Sequence, residues 1–333
     1  MSDALNGAAM LVTGADGFIG SHLVELLVAR GARVKAFVYY NSWNSVGWLA
    51  DIPQAVRDKL EIISGDIRDT ERVREAVRGC SHVFHLASLI AIPYSYYAAR
   101  SYVETNIFGT LNVLQACREN DKLARLVHIS TSETYGTAQR VPIDEDHPLV
   151  GQSPYSASKI GADKMAESFY LSFGLPVVTA RPFNTFGPRQ TARAVIPTIA
   201  SQLLAGVNEL KLGALTPTRD FNYATDTAEG MIALALADNV VGLTINIGTG
   251  EEWSIENTAN MLMEITGCKV PIHTEEDRMR PAGSEVNRLL ADNRRILELT
   301  DWSPKVSFEQ GLVNTVEWIR ANPQFFTATR YNI

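Results

Sequence analysis

Two short strings in the middle of the chain carry residue types that could do acid–base chemistry. The first is Thr131-Ser132-Glu133 and the second is Tyr155-x-x-x-Lys159. Four residues apart on a helix, Tyr155 and Lys159 share one face, so the lysine ammonium is expected to lower the tyrosine pKa towards that of a general base. Oxidation of an alcohol needs no more than this pair. Glu133 is an extra acid or base, and its role decides much of the functional interpretation.

A glycine-rich turn, TGADGFIG at residues 13–20, lies upstream of both strings. Gly14 allows a tight turn, Gly17 lets the backbone approach a pyrophosphate, and Gly20 lets the next helix pack closely on the strand. The phosphates would lie at the positive end of that helix. A predicted strand precedes the turn and an amphipathic helix follows it, which is the context that a dinucleotide site requires.

The second predicted strand leaves the choice of dinucleotide open. Sites that prefer NAD usually carry an acidic residue at the end of this strand, where it binds the ribose hydroxyls. Here the segment 38–41 reads Val-Tyr-Tyr-Asn, with neither an acid nor an arginine for a 2′-phosphate. Asp66, which follows the third predicted strand, either contacts adenine or caps the next helix.

The elements that must position these residues follow an α/β pattern. Short apolar runs predict buried parallel strands, and amphipathic segments between them predict helices. The strands are expected at residues 10–12, 34–38, 60–63, 82–86, 126–130, 177–180 and 245–247, and the helices at 21–30, 68–78, 102–119 and 155–173. Repeated strand–helix–strand units predict a doubly wound parallel sheet of the Rossmann type.

The pattern loosens after residue 181, where prolines interrupt it and strands become sparse. A chain of 333 residues is long enough for two lobes. We therefore expect a dinucleotide-binding domain of residues 1–180 plus about 223–250. Residues 181–222 and 251–333 would form a smaller lobe.

Composition narrows the class of protein. The net charge of −7 argues against nucleic acid as the main partner. Cys80, Cys117 and Cys268 are far apart and form no C-x-x-C pair, which favours a reducing compartment and no metal cluster. No apolar run has the length of a membrane span, and the first residues do not resemble a signal peptide. These observations predict a soluble, cytoplasmic protein.

Together the strings resemble the extended short-chain dehydrogenase/reductase family, the NAD-dependent nucleotide-sugar epimerases and dehydratases. The resemblance covers nearly the whole chain and includes GDIRD (65–69), HLAS (85–88), TNIFGTLNVLQAC (105–117), STSETYG (130–136), PYSASK (154–159), RPFNTFGPR (181–189) and TRDFNYATD (218–226). It implies an enzyme that uses NAD, with NADP left open, and binds a nucleoside-diphosphate sugar in its second lobe. It also implies a homodimer that packs through the helices at 102–119 and 155–173.

The resemblance also implies roles for individual residues. Thr131 would hydrogen-bond the sugar O4, Tyr155 would take its proton, and Lys159 would bind the nicotinamide ribose. Beside this pair, the implied cofactor-binding residues are Gly14, Gly17, Phe18, Ile19, Gly20, Asp66, Ile67, Leu86, Ala87, Ser88 and Asn106. The implied substrate-binding residues are Tyr94, Asn184, Arg189, Arg219 and Arg280.

The presence of Glu133 distinguishes between the reactions that members of this family catalyse. A 4-epimerase needs only removal and return of a hydride at C4, whereas a 4,6-dehydratase also needs a base for the C5 proton and an acid for the departing C6 hydroxyl. Glu133 suits the base, because a partly desolvated carboxylate has a raised pKa. Many dehydratases have Asp-Glu here, but this chain has Ser132-Glu133, like the GDP-mannose branch. Either Glu133 does both jobs or Ser132 relays a proton.

Three alternatives remain beside the dehydratase, and a 4-epimerase of the same family is the first. The Thr-Ser-Glu string also occurs in enzymes that resemble UDP-glucuronate decarboxylases, and a regulator that binds dinucleotide without catalysis is possible on the same fold. Finer strings, AFVYYNSWNSVGWL (36–49), LIAIPYSY (89–96), ARAVIPTI (192–199) and LTPTRDFNY (215–223), resemble dehydratases of legionaminic-acid-type pathways. These act on UDP- or GDP-linked N-acetylglucosamine, and the sequence favours this 4,6-dehydration.

Overall fold

The structure, a computed structural model, describes residues 5–279 and 281–326. Strands and helices alternate through its first part. In chain order they are β1 (Ala9–Thr13), α1 (Phe18–Ala29), β2 (Arg33–Tyr39), α2 (Gln54–Arg57), β3 (Leu60–Gly65), α3 (Thr70–Val77), β4 (His82–His85), α4 (Ile92–Tyr97), α5 (Ala99–Tyr102), α6 (Gly109–Arg118), β5 (Arg125–Ile129), α7 (Pro154–Phe173) and β6 (Val177–Pro182).

Shorter strands dominate the second part. It contains β7 (Asn184–Phe186), α8 (Val195–Leu204), β8 (Leu210–Leu212), β9 (Thr218–Arg219), β10 (Phe221–Tyr223), α9 (Ala224–Leu236), β11 (Thr244–Ile247), β12 (Trp253–Ser254), α10 (Ile255–Thr266), β13 (Ile272–Thr274), β14 (Arg288–Leu289), α11 (Arg294–Leu299) and α12 (Phe308–Ala321). Their brevity agrees with the sparse strand signals expected after residue 181.

A parallel sheet of seven strands organises the described residues, in the order β11-β6-β5-β4-β1-β2-β3. Met10 of β1 aligns with Val34 of β2 on one side and with His82 of β4 on the other. The strand order reverses between β1 and β4, which opens a crevice at their carboxyl ends. The predicted doubly wound sheet is confirmed, and β11 joins it beside β6.

Hydrophobic residues cover both faces of this sheet. On one face Leu23 and Leu27 of α1 pack with Met231 of α9 against the central strands. On the other face Leu114 of α6 and Ala166 of α7 belong to a second buried cluster. Burial on both faces explains why the strands read as continuous apolar runs in the sequence.

A third buried cluster lies in the second part of the chain. Phe186, Phe221 and Phe308 contact one another there, and the Phe221 and Phe308 rings stack at 5.3 Å. Small sheets surround the cluster: β10 pairs with β7, β13 pairs with β8, and β9 lies between β12 and β14. This part therefore has an apolar core of its own.

Two local expectations differ from the structure. The helix predicted over residues 102–119 contains a π-helical stretch, Val103–Phe108, before the regular helix α6. A π-helical turn is a rare and short feature inside an otherwise regular helix, so a helical pattern over the whole segment does not reveal it. The cap of α3 is Asp69, whose carboxylate accepts the N–H groups of Glu71 and Arg72, and not Asp66.

The structure also bears on membranes, metals and thiols. None of the described helices combines the length and apolar character needed to cross a bilayer. Among the described residues there is no group of three or more His, Cys, Asp or Glu side chains that could hold a metal ion. Cys80, Cys117 and Cys268 are free thiols, and the first two are buried.

Candidate functional site

The glycine-rich turn forms a cradle that side chains would fill. Gly14 has a φ of +69°, and a Cβ on Gly20 would lie 2.1 Å from the Gly14 carbonyl oxygen. Gly17 is exposed and immediately precedes α1, which begins with Phe18 and Ile19. An exposed helix N-terminus with a backbone free of side chains fits the pyrophosphate of a dinucleotide.

The loop after β4 packs against the glycine-rich turn. The Leu86 N–H donates to the Thr13 carbonyl oxygen at 3.2 Å, and the Ala87 N–H donates to Thr13 Oγ1 at 3.1 Å. A Cβ on Gly14 would lie 2.9 Å from the Ala87 nitrogen, so this approach requires glycine. Ser88 follows, and its hydroxyl donates to the Leu86 carbonyl oxygen. The two motifs thus meet where the strand order reverses.

Asn106 is buried in the π-helical stretch and uses its amide within the protein. Its Oδ1 accepts the Leu89 N–H at 2.8 Å, and its Nδ2 donates to the Leu89 carbonyl oxygen and to Ser158 Oγ. Ser158 lies on α7 between Tyr155 and Lys159. Asn106 therefore joins the loop after β4 to the helix that carries the tyrosine–lysine pair, which is a positioning role.

Asp66 and Ile67 follow the end of β3. The Asp66 carboxylate accepts the Arg68 guanidinium at 2.6 Å, and this hydrogen bond lowers the Asp66 pKa. Ile67 is buried, and its carbonyl oxygen accepts the Asn112 amide at 3.1 Å. The structure thus places both residues just after the carboxyl end of β3 and pairs the Asp66 charge with an arginine.

The Thr131-Ser132-Glu133 string forms a tight turn directly after β5. Thr131 caps the short 3₁₀ helix Ser132–Tyr135, and its Oγ1 accepts the Glu133 N–H at 3.3 Å. Ser132 is 2% exposed, whereas Glu133 is half-buried. The cap fixes Glu133 relative to Thr131, so the two side chains belong to one rigid turn.

Helix α7 has strong local signals at both ends. Ser153 and Ser156 form a reciprocal capping box, Pro154 occupies the first turn, and Gly174 ends the helix with a φ of +66°. Each of these features stabilises a helix terminus. The helix therefore begins one residue before Tyr155, which places that tyrosine firmly at the crevice.

Tyr155 and Lys159 lie buried beside the Thr131 turn. Burial raises the pKa of Tyr155, the hydrogen bond with Thr131 lowers it, and the charge of Glu133 raises it further. The Lys159 ammonium donates to the Ile129 carbonyl oxygen at 2.6 Å. The lowered tyrosine pKa expected from the sequence is thus wrong for this structure, because burial of the phenol is the largest influence on it. Tyr155 hydrogen-bonds Thr131, and Thr131 caps the Glu133 N–H, so Glu133 lies on the turn that contacts Tyr155.

A buried charge network that the sequence interpretation missed lies behind this pair. Asp163 accepts hydrogen bonds from His128 at 3.1 Å, Ser130 at 2.7 Å and Arg181 at 2.9 Å. Burial lowers the pKa of the Lys159 ammonium to about 8, and the negative charge of Asp163 opposes that shift. Asp163 follows Lys159 by four residues, so a second i, i+4 step along the helix was the available signal.

Tyr94 contacts Tyr102, which in turn contacts Tyr155. Its ring centroid lies 6.3 Å from that of Tyr102, which lies 6.1 Å from that of Tyr155 in an edge-on arrangement. The Tyr102 hydroxyl donates to the Ala91 carbonyl oxygen at 2.7 Å, and Ala91 has a φ of +71°. Tyr102 therefore anchors the loop before α4, and Tyr94 is 45% exposed beside Tyr102.

Two of the implied substrate residues lie on the small strands of the second part. Asn184 begins β7 and pairs with Phe221 of β10. Among the described residues, its buried Oδ1 has no hydrogen-bond partner. Arg219 is buried on β9, where it donates to the Thr218 carbonyl oxygen and lies 3.5 Å from the Glu285 carboxylate. A half-buried amide, through its nitrogen, and a buried guanidinium can both donate to a diphosphate.

Arg189 contacts helix α1. Its φ is +70°, and its guanidinium donates to the Glu25 carboxylate of α1 at 2.6 Å and to Ser21 at 3.3 Å. The structure thus ties Arg189 to the helix after the glycine-rich turn, and its contact with substrate phosphate stays a prediction. Arg280 lies outside the described residues.

Comparison with known proteins agrees with this geometry. The family model of GDP-mannose 4,6 dehydratase matches residues 11–315. A dTDP-glucose 4,6-dehydratase of Actinoplanes sp. is 31% identical over 96% of this chain and 99% of its own. A UDP-N-acetyl-alpha-D-glucosaminuronate decarboxylase of Bacillus cytotoxicus is 32% identical over 93% of this chain and 97% of its own.

The fold is also similar to that of a solved structure. The UDP-glucuronic acid 4-epimerase of Bacillus cereus, in complex with UDP-glucuronic acid and NAD, superposes with a TM-score of 0.84. It is 29% identical and covers 94% of this chain and 99% of its own. These relatives carry three activities on one architecture. The chain therefore belongs to the GDP-mannose 4,6 dehydratase family, within the extended short-chain dehydrogenase/reductases, whose members are enzymes of nucleotide sugars.

Proposed function

We propose that this enzyme is an NAD-dependent 4,6-dehydratase. Its substrate would be a UDP- or GDP-linked hexose, first of all N-acetylglucosamine, and its product the 4-keto-6-deoxy sugar. The observation that carries the proposal is the placement of Glu133 near Tyr155 on the turn that Thr131 caps. An epimerase needs no second acid–base group at this point, whereas water elimination does.

The first step is oxidation at C4. Thr131 hydrogen-bonds the sugar O4, and the Tyr155 phenolate takes the O4 proton. Burial raises the Tyr155 pKa, so the positive charge of Lys159, which the neighbouring Asp163 carboxylate helps to retain, and that of the nicotinamide ring of bound NAD would together have to offset it to give this phenolate. The glycine-rich turn would hold NAD, whose chemistry when bound is the reversible transfer of one hydride from and to the sugar.

Glu133 acts in the second step. The C4 ketone makes the C5 proton acidic, and the Glu133 carboxylate removes it. The C6 hydroxyl then leaves as water, with a proton from Glu133 itself or through Ser132, whose side chain is buried beside it. Tyr155 releases the O4 proton to solvent, and one solvent proton is delivered to C5 as the hydride returns to C6, so the net change is the loss of one water molecule.

The second lobe would bind the nucleoside diphosphate. We assign it residues 181–222 and 251–326, and assign residues 5–180 and about 223–250 to the dinucleotide domain. Asn184 and Arg219 are the phosphate contacts that we favour, because Arg219 is buried and Asn184 is half-buried with a buried amide oxygen, both on the small strands after β6. Tyr94 would lie against the sugar.

We further propose that the enzyme is a homodimer. Exposed apolar side chains on neighbouring helices support this assembly: Phe108 is 53% exposed, Leu171 73% and Phe173 52%. They lie on the segments at 102–119 and 155–173. Light scattering coupled to size-exclusion chromatography tests it, and a mass near 37 kDa would argue against it.

Incubation with UDP- and GDP-N-acetylglucosamine in deuterated water tests the reaction. The dehydratase should give a 4-ketone, a 6-methyl group and one solvent deuterium at C5. Carbon dioxide release from UDP-glucuronate would identify a decarboxylase, and simple C4 inversion an epimerase. Dinucleotide binding without conversion of any nucleotide sugar would indicate a regulator. Each of these three results overturns the proposal.

The variant E133Q tests the role of Glu133 itself. It should still oxidise C4, so reduced cofactor should accumulate at 340 nm, but water loss should fall by about 10²–10⁴-fold because the base is absent. The matched control is E167Q on the exposed side of α7, which should keep the wild-type rate. Normal turnover by E133Q would show that another group removes the C5 proton.

A further inference from the structure

A carboxylate from another part of the chain accepts a hydrogen bond from the end of β2. Asp16 lies in the glycine-rich turn, and its Oδ2 accepts the Tyr39 N–H at 3.2 Å. The N–H groups of Gly14 and Ala15 donate to the Phe37 carbonyl oxygen at 3.0 and 3.3 Å. The turn is thus tied to the last residues of β2. Asp16 stands where a dinucleotide fold usually carries an acid on the strand itself.

The position of Asp16 is constrained from a second side. The Trp48 N–H donates to the Asp16 carbonyl oxygen at 3.0 Å. Gly47 has a φ of +53°, and a Cβ there would lie 2.5 Å from the same oxygen. The segment after β2 therefore packs on the Asp16 backbone while Tyr39 orients its carboxylate. This carboxylate remains half-buried, so a ligand can reach it.

We infer that Asp16 is the residue that selects NAD over NADP, an inference that rests on the proposed dinucleotide function. A carboxylate at this point accepts hydrogen bonds from the adenosine ribose hydroxyls. The 2′-phosphate of NADP would instead bring a second negative charge against it. Specificity of this kind comes from repulsion of the wrong ligand as well as attraction of the right one.

Arg68 is the cation that could reverse this preference. It lies near Tyr39 and could meet a 2′-phosphate. Its Nε and terminal nitrogen, however, donate to the two oxygens of Asp66 at 3.0 and 2.6 Å. Among the described residues, no basic side chain forms an ion pair with Asp16. The uncompensated charge beside β2 is therefore negative.

Exchange between the two dinucleotides tests this role without any sugar. The purified protein is equilibrated with equal concentrations of NAD and NADP, and the bound fraction is released with acid and quantified by chromatography. The wild type should retain NAD. The variant D16N, which keeps the shape and the acceptor for Tyr39, should shift the ratio towards NADP about tenfold or more.

The matched control is D51N, which makes the same charge change on an exposed residue of the neighbouring segment and should leave the ratio unchanged. Circular dichroism verifies folding, and D16S replaces D16N if the amide variant does not fold. An unchanged ratio in a folded Asp16 variant, or NADP retention by the wild type, overturns the inference. Binding of neither dinucleotide by the wild type would overturn the proposed function as well.

Discussion

Asp163 on α7 and Asp220 in the second part of the chain are both almost fully buried. Asp163 faces charged and titratable groups, namely Arg181, Lys159 and His128. Asp220 instead accepts neutral donors: the Thr249 N–H and hydroxyl at one oxygen, and the Gly250 and Ala291 N–H groups at the other.

The two environments have opposite effects on the carboxyl pKa. Burial alone raises both. At Asp163 the hydrogen bond from His128 and the charge of Arg181 more than offset it and hold the pKa at about 2. At Asp220 the neutral donors offset it only partly, so the pKa is raised to about 6. The charged partners of Asp163 thus keep its carboxylate ionised beside Lys159. The neutral donors around Asp220 instead connect three segments of the chain through that carboxylate.

The largest expected effect is that of D163N. It leaves the Arg181 guanidinium buried without its counter-charge, which should lower the free energy of unfolding by about 3–5 kcal/mol. Urea denaturation at pH 7 measures it. E167Q, on the exposed side of the same helix, should change the value by less than about 1 kcal/mol. A loss under 1 kcal/mol in D163N would show that Arg181 finds other partners.

The same variant tests whether the Asp163 charge reaches the catalytic lysine. Loss of that charge should lower the pKa of Lys159 below its value of about 8. Dehydratase activity should then fall at a lower pH in D163N than in the wild type, while D163E should retain the wild-type profile. Identical profiles would limit Asp163 to a structural role.

A smaller effect should appear in the pH dependence of stability. The Asp220 pKa is about 6 in the folded protein and near 3.8 when unfolded, so between these values the folded state binds more protons. Stability should therefore fall as pH rises from about 4 to 6, by on the order of 2 kcal/mol. Asp163 acts in the other window: its contribution is present above about pH 4 and lost as pH falls towards 2.

Denaturation curves at several pH values separate the two carboxylates. D220N cannot titrate, so the decline between pH 4 and 6 should disappear in that variant. If D220N declines as the wild type does, another group is responsible for the slope.

The smallest effect should come from T249A. It removes one of the four hydrogen bonds that Asp220 accepts and leaves the others in place. The expected loss is about 1 kcal/mol in the free energy of unfolding. T274A, at an exposed threonine on β13, should change it by less than about 0.5 kcal/mol. Equal losses would mean that the Thr249 hydroxyl contributes nothing specific.

Features encoded by neighbouring residues could be predicted from the sequence. The glycine-rich turn, the capping signals around α7 and the shared face of Tyr155 and Lys159 all depend on spacings of a few residues. The apolar runs predicted the strands of the main sheet for the same reason, since strands buried on both faces are apolar throughout.

Features that join distant segments could not be predicted in this way. Asp16 reaches the end of β2, 23 residues later, through a hydrogen bond that no local pattern encodes. Asp163 collects partners from β5 and β6, and Asn106 connects the β4 loop to α7. The direction of the Tyr155 pKa also depended on burial, which spacing does not report.

The order of strands and helices, the glycine-rich turn and the tyrosine–lysine pair could be predicted from the residues alone, because each follows from local geometry and hydrophobic periodicity. Which charges meet depends on the tertiary structure. It placed Asp16 beside β2, committed Arg68 to Asp66 and Arg189 to Glu25, and surrounded Asp163 with cations. The physical reason is that electrostatic interactions act through space, and their strength depends on burial as well as on distance.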